Sequence, residues 1–208
     1  MYRHVFWDLG GTLADTYPHL DAALAEVVRR HGHTLATDEV ARLTRRSTGT
    51  AIRTLAQRFG IDEDEFTSAN EALKERWRHQ PPPVMAGAPE LLAEITRSGG
   101  LNLVVTHRDR DSARALLDGL GLRVDDMVCT SDGYPRKPDP AMYQELLKRH
   151  GLDPADCLAV GDRPIDAEAA HAAGIAAAML ESAAAPVDDD AEFSVEVLDG
   201  LRGLLGLR

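Results

Sequence analysis

Short, unbroken apolar runs punctuate this chain, separated by stretches whose apolar residues recur at helical spacing. The runs are Val5 to Trp7, Leu101 to Val105, Met127 to Cys129, Leu158 to Val160 and Ile175 to Met179. Continuous rather than alternating apolarity predicts strands covered on both faces, hence a parallel sheet with helices on either side. The helices between the runs are legible. Ala88 to Ser98 gathers Leu91, Leu92 and Ile95 on one face and ends at Gly99-Gly100. Asp111 to Leu120 presents Ala113, Leu116 and Leu117. Asp139-Pro140 opens a further helix with Met142, Leu146 and Leu147 inward, which closes at Gly151. Strand, helix, strand in this order predicts a doubly wound α/β core.

Residues 15–85 break that rhythm. They contain no convincing strand and read as helices over about 19–31, 38–46, 49–59 and 62–79. Leu24, Val27 and Val28, then Ile52, Leu55 and Phe59, form the inward faces, and Trp77 joins that packing. Asp62-Glu63-Asp64-Glu65 suits the positive end of a helix dipole. Pro81-Pro82-Pro83 stops the last helix and stiffens the return to the core. The expected organisation is a core of residues 1–14 and 86–208 carrying an all-helical insert over 15–85. An alanine-rich, acidic loop runs from Ser182 to Asp190.

Composition narrows the function classes. The 208 residues are 44% hydrophobic and 27% charged, ordinary for a chain with a real core. A net charge of −11 makes a nucleic-acid or anionic-membrane surface a poor expectation. Any anionic ligand then needs positive potential made locally, by a metal and a few cations. Cys129 and Cys157 each sit in a short apolar run and read as small buried strand residues in a reducing compartment. Asp8 interrupts the first apolar stretch, and no run approaches the roughly 20 apolar residues that span a bilayer. The expected location is the cytoplasm.

Ligands of parallel α/β sheets bind at the carboxyl ends of the strands. Asp8 ends the first run, Thr106 the second and Asp162 the fourth, while Lys137 follows the third. Asp8-Leu9-Gly10-Gly11-Thr12, with Thr106, Arg136-Lys137-Pro138-Asp139-Pro140 and Gly161-Asp162 through Asp166, resembles the active site of haloacid dehalogenase superfamily hydrolases. The likeness points to the branch with phosphoglycolate phosphatases and β-phosphoglucomutases, which carries a small helical cap after the first strand. It implies Asp8 as the nucleophile that forms an acyl-phosphate, splitting one hard hydrolysis into two easier steps. It also implies Mg²⁺ held by Asp8, Asp162, Asp166 and the backbone carbonyl of Gly10. Thr106 and the backbone N–H of His107 would donate to phosphoryl oxygens, Lys137 would screen the transferring group, and Gly11 and Thr12 would complete the phosphate turn. In the helical insert, Arg45-Arg46-Ser47-Thr48-Gly49-Thr50 is the best candidate for reaching a carboxylate or second phosphate, the other reading being solvated arginines in an inter-helix loop. The expected partner is a small phosphorylated metabolite, with the chain a monomer or homodimer.

Gly10 departs from the family pattern. Its phosphatases place there a second aspartate that protonates the leaving alcohol and then activates water. Losing a general acid/base typically costs about 10²–10⁴ in rate. The sequence leaves three readings open: a slow phosphatase suited to good leaving groups, a substitute among His19, Asp15, Tyr17 and His107, or a non-catalytic module that binds phosphorylated ligands. Phosphonatase-type C–P hydrolases also carry a small residue at this position, but need an early cap lysine, whereas Lys74 lies late in the last helix. Dehalogenases work without a metal, and the retained Asp162 and Asp166 argue against them.

Overall fold

A computed structural model describes residues 1–181 and 190–207. The loop expected from Ser182 lies outside the described residues up to position 189. Six parallel strands form one sheet: β1 (His4–Trp7), β2 (Asn102–Thr106), β3 (Asp126–Cys129), β4 (Cys157–Gly161), β5 (Ala176–Leu180) and β6 (Phe193–Val195). Their order is β3-β2-β1-β4-β5-β6, so the chain winds outward from β1 in both directions. This is the doubly wound order expected. Sequence reading missed β6, which spans three residues at a sheet edge and has no continuous apolar run.

Successive strand residues point to opposite faces, and each face has its own core. Val5, Trp7, Val104 and Val160 pack on one side against α5 (Ala88–Arg97), α6 (Arg110–Gly119) and α9 (Arg202–Leu205). Phe6, Leu103, Val105 and Ala159 pack on the other against α7 (Ala141–His150) and α8 (Pro164–Ala172). Both cysteines are free and buried in these layers.

The remaining helices are α1 (Tyr17–Arg30), α2 (Thr37–Arg46), α3 (Thr48–Phe59) and α4 (Glu63–Trp77). They share a separate cluster that includes Leu24, Val27, Val28, Leu55, Phe66 and Trp77. Helix α1 begins two residues earlier than its apolar spacing indicates, because Pro18 pre-sets the backbone of the first turn. Asp62 accepts a hydrogen bond from the Asp64 N–H and caps α4. The chain leaves the sheet after β1 and returns to it through α5, so this helical unit stands beside the carboxyl end of β1. No helix among the described residues is long and apolar enough to cross a membrane.

Candidate active site

Register brings the candidate residues to one sheet end. Trp7 pairs with both Val104 and Val160, and the Asp8 N–H donates to the Val160 carbonyl, 2.9 Å. Asp8 therefore emerges level with the ends of β2 and β4, where Thr106 and Asp162 stand. Helix α8 starts at Pro164 and returns Asp166 to the same point, its carboxylate accepting the Arg163 N–H at 3.1 Å. Gly161 is required for that return, since a Cβ there would collide with the Asp166 side chain.

Asp8, Lys137, Asp162 and Asp166 are each at most 4% exposed. Lys137 Nζ lies 2.6 Å from Asp8 Oδ1, 2.5 Å from Asp166 Oδ1 and 3.0 Å from the Val105 carbonyl. Burial opposes the Lys137 ammonium, but Asp166 and Asp8 more than offset it and hold its pKa above the ordinary lysine value. Burial likewise works against the Asp166 carboxylate, and Lys137 with Arg163 reverses the balance, so Asp166 stays below the usual carboxylate range. Asp8 moves the other way, raised chiefly by burial. Burial, with the neighbouring Asp8 and Asp166, pushes Asp162 up to about 7.

Both Asp162 oxygens are held by hydroxyl donors: Thr12 to Oδ1 at 3.1 Å and Tyr17 to Oδ2 at 2.5 Å. Gly11 makes this approach feasible. Its φ is +98°, and a Cβ would strike both the Tyr17 ring and the Asp162 carboxylate. The Arg45 guanidinium lies over the other end of this arrangement, 3.4 Å from the Tyr17 ring centroid. Sequence reading did not anticipate the Tyr17–Asp162 bond, which links residues 145 positions apart. It also passed over Arg163, whose Nη2 stands 3.9 Å from Asp8 Oδ1.

A cleft of about 630 Å³ opens above these groups, between the sheet end and the helical unit. Asp8, Gly10, Thr106, His107, Lys137 and Arg163 line it from the sheet side, and Thr44, Ser47, Thr48, Gly49, Lys74 and Trp77 from the helices. Gly10 has ordinary backbone geometry, and a Cβ there would meet only the Thr16 side chain, at 3.3 Å from Oγ1. Of the side chains considered as substitutes for the missing aspartate, Tyr17 and His107 reach this cleft. His107 Nε2 is buried without a hydrogen-bond partner, and burial with the Lys137, Arg136 and Arg163 charges pulls its pKa down to about 3. The imidazole is therefore neutral near pH 7. His19 instead accepts the Trp77 indole N–H at 3.3 Å. Asp15 lines a second cleft of about 290 Å³, together with Arg45.

The two arginines, which end α2 rather than lying in an inter-helix loop, part company. Arg45 packs on Tyr17 and faces that second cleft, while Arg46 is exposed and lines neither. The residues that follow them, Ser47 to Gly49, are the ones that line the main cleft. Trp77 belongs to the helical core, as its spacing indicates, and also carries the Arg108 guanidinium 4.9 Å from its ring centroid.

Asp8, Asp162 and Asp166 each bring a carboxylate oxygen within 4.8 Å of the others. Three converging hard oxygen donors fit a magnesium-sized cation, and soft ligands are absent from that group. Thr106 Oγ accepts the Arg108 N–H at 3.2 Å, which leaves the threonine's own proton for an acceptor in the cleft.

The family model described as haloacid dehalogenase-like hydrolase matches residues 2–174. A phosphoglycolate phosphatase of Rhodospirillum rubrum is 34% identical over 194 residues, covering 84% of this chain and 78% of its own. Phosphoglycolate phosphatase 1 of Pseudomonas aeruginosa is 32% identical, covering 98% and 78% respectively. The crystal structure of a hydrolase from Streptococcus pneumoniae superimposes with a TM-score of 0.71 at 30% identity, covering 99% of each chain. The chain therefore belongs to the haloacid dehalogenase-like hydrolases, on the phosphatase side of that family.

Proposed function

We propose that this chain hydrolyses a small phosphate monoester in a magnesium-dependent reaction through a phosphorylated Asp8, with the four helices over 15–85 acting as a cap. The observation that carries the reading is the buried group of Asp8, Asp162 and Asp166 with Lys137 set between Asp8 and Asp166. Asp8, Asp162 and Asp166, with the Gly10 carbonyl, would hold Mg²⁺, which when bound neutralises charge between the carboxylates and the substrate phosphate.

The chain's own groups divide the work. Among the described residues, the ion-pair contacts of Asp8 fall on Oδ1, which leaves Oδ2 as the attacking oxygen. The Oδ2–P bond forms as the ester P–O bond breaks, and the leaving oxygen departs with the bonding electrons as an anion that takes its proton from water. Lys137 opposes the upward pull of burial on Asp8, favouring its carboxylate form, and offsets charge on the phosphoryl oxygens. Thr106 donates its hydroxyl proton to one of these oxygens, and the His107 backbone N–H assists, with Gly11 and Thr12 forming the turn beneath. Water then attacks phosphorus, releases phosphate and restores Asp8.

Gly10 offers no proton to the leaving alcohol and no base to the attacking water. Turnover should be slow for alkyl esters and faster for esters whose alcohols leave as stable anions. The relatives named for phosphoglycolate make a small phosphorylated acid the first substrate to try.

The test compares the parent with Gly10→Asp on an aryl and an alkyl phosphate, with and without magnesium. The expected result is magnesium-dependent aryl ester turnover by the parent, and a gain of about 10²-fold or more on the alkyl ester in the variant. Absence of turnover by both proteins, with retained binding of the esters, would favour a phospholigand-binding module.

A further inference from the structure

The charge inventory of the cleft singles out one cation. Although the chain carries −11 overall, the cleft is lined by five cations, Lys74, Arg108, Arg136, Lys137 and Arg163, against two carboxylates, Asp8 and Asp109. Most of these cations have evident employment. Lys137 pairs with Asp8 and Asp166, Lys74 lies 2.6 Å from Glu71, Arg163 faces Asp8, and Arg136 is exposed to water.

Arg108 differs from all of them. It is partly buried where the loop after β2 meets α4, with its guanidinium over the Trp77 ring. Its Nη1 donates to the Ser112 hydroxyl at 3.1 Å, and among the described residues no carboxylate lies within ion-pair distance. Burial lowers its pKa, with Asp8, Asp109 and Glu71 supplying only distant opposition. A guanidinium withdrawn from water without an anion is costly, and an incoming anion regains that cost. Stacking on the indole fixes the plane of the fork and leaves its edge for a planar or tetrahedral oxyanion.

We infer that Arg108 is the anchor for a second anionic group on the substrate, a carboxylate or a second phosphate, held across the cleft from the phosphoryl site at Asp8. The inference rests on the phosphatase reading of that site and specifies its substrate class: phosphate esters with a second negative charge within a few bonds of the first. The chain geometry sets this scale. Thr106, the phosphoryl donor, and Arg108 are two residues apart, a Cα separation of at most about 7 Å. Because Arg108 bridges the β2 loop and Trp77, the same contact ties substrate charge to the position of the helical unit.

The experiment uses three alkyl phosphates of equal length that end in a methyl, a carboxylate or a second phosphate. Each is tested with the parent, Arg108→Gln and Arg108→Lys in magnesium. KM is read where the ester turns over, and Kd by calorimetry where it does not. Arg108→Gln should weaken the doubly anionic esters at least tenfold while leaving the methyl ester within twofold. Arg108→Lys should recover part of the loss, and the preferred end group identifies the anion. Equal effects on all three esters, or none on any, would overturn the anchor. Absence of turnover with every ester would count against the phosphatase reading, and the Kd pattern would then decide the anchor by itself. Thermal melting of each variant controls for folding.

Discussion

On the sheet side of the cleft, Asp8, Lys137, Asp162 and Asp166 are buried; Lys137 bonds Asp8 and Asp166 at 2.6 and 2.5 Å, and Thr12 and Tyr17 hold Asp162 at 3.1 and 2.5 Å. On the helical side, Ser47, Thr48 and Lys74 are only partly buried, and their bonds run to near neighbours such as Thr50 and Glu71. Asp8 and Asp162 of the first wall stand at the ends of paired strands, whose register leaves little freedom. The second is assembled from helix termini and a loop on a separate apolar cluster. Rigid charge for the phosphoryl group on one side faces adaptable polar groups for the rest of a substrate on the other. The contrast teaches that reaction type and substrate choice rest on different physical foundations in this molecule.

Mutations that attack the buried wall should have the largest effects. Lys137→Met leaves Asp8 and Asp166 without their shared cation, and breaking such a buried pair costs about 3–5 kcal/mol. Denaturant unfolding should report that loss without magnesium and a partial recovery at saturating magnesium. Equal loss in both conditions would mean that the carboxylates do not share a metal.

Tyr17 joins the two walls, since it starts α1 and bonds Asp162. Tyr17→Phe should weaken magnesium binding about tenfold, as expected for groups that orient metal ligands, while unfolding stability changes little. Calorimetric titration with magnesium measures this directly. An unchanged magnesium affinity would make the bond to Asp162 a packing detail.

The smallest effect belongs to the helical wall's exposed rim. Arg46→Ala should leave KM within about twofold and stability within about 0.5 kcal/mol, as for surface changes in general. A tenfold rise in KM for a doubly anionic ester would show that the end of α2 reaches the substrate after all, and would erase part of the contrast between the walls.

The legibility of the chain follows the same division. Asp8, Thr106 and Asp162 could be read because each follows a continuous apolar run, and a parallel sheet delivers such residues to one end. Lys137 and Asp166 were read from their flanking motifs, and the structure brings both to Asp8 or its neighbours. The contacts of Tyr17 and Arg108 were not readable, because they depend on how the helical unit sits on the sheet rather than on local spacing. The last turn of α2 illustrates the limit. Two adjacent arginines look equivalent in sequence, yet helix phase turns Arg45 onto Tyr17 and Arg46 into solvent.

The most direct test of the account is chemical trapping at Asp8. The protein is mixed with an activated aryl phosphate and magnesium, quenched in acid, and digested for peptide mass spectrometry. The account predicts one phosphoryl group on Asp8, formed quickly and lost slowly because Gly10 supplies no base for the water, and lost faster in Gly10→Asp. Steady magnesium-dependent turnover with Asp8 unmodified at every quench time, and unimpaired in Asp8→Asn, would contradict it.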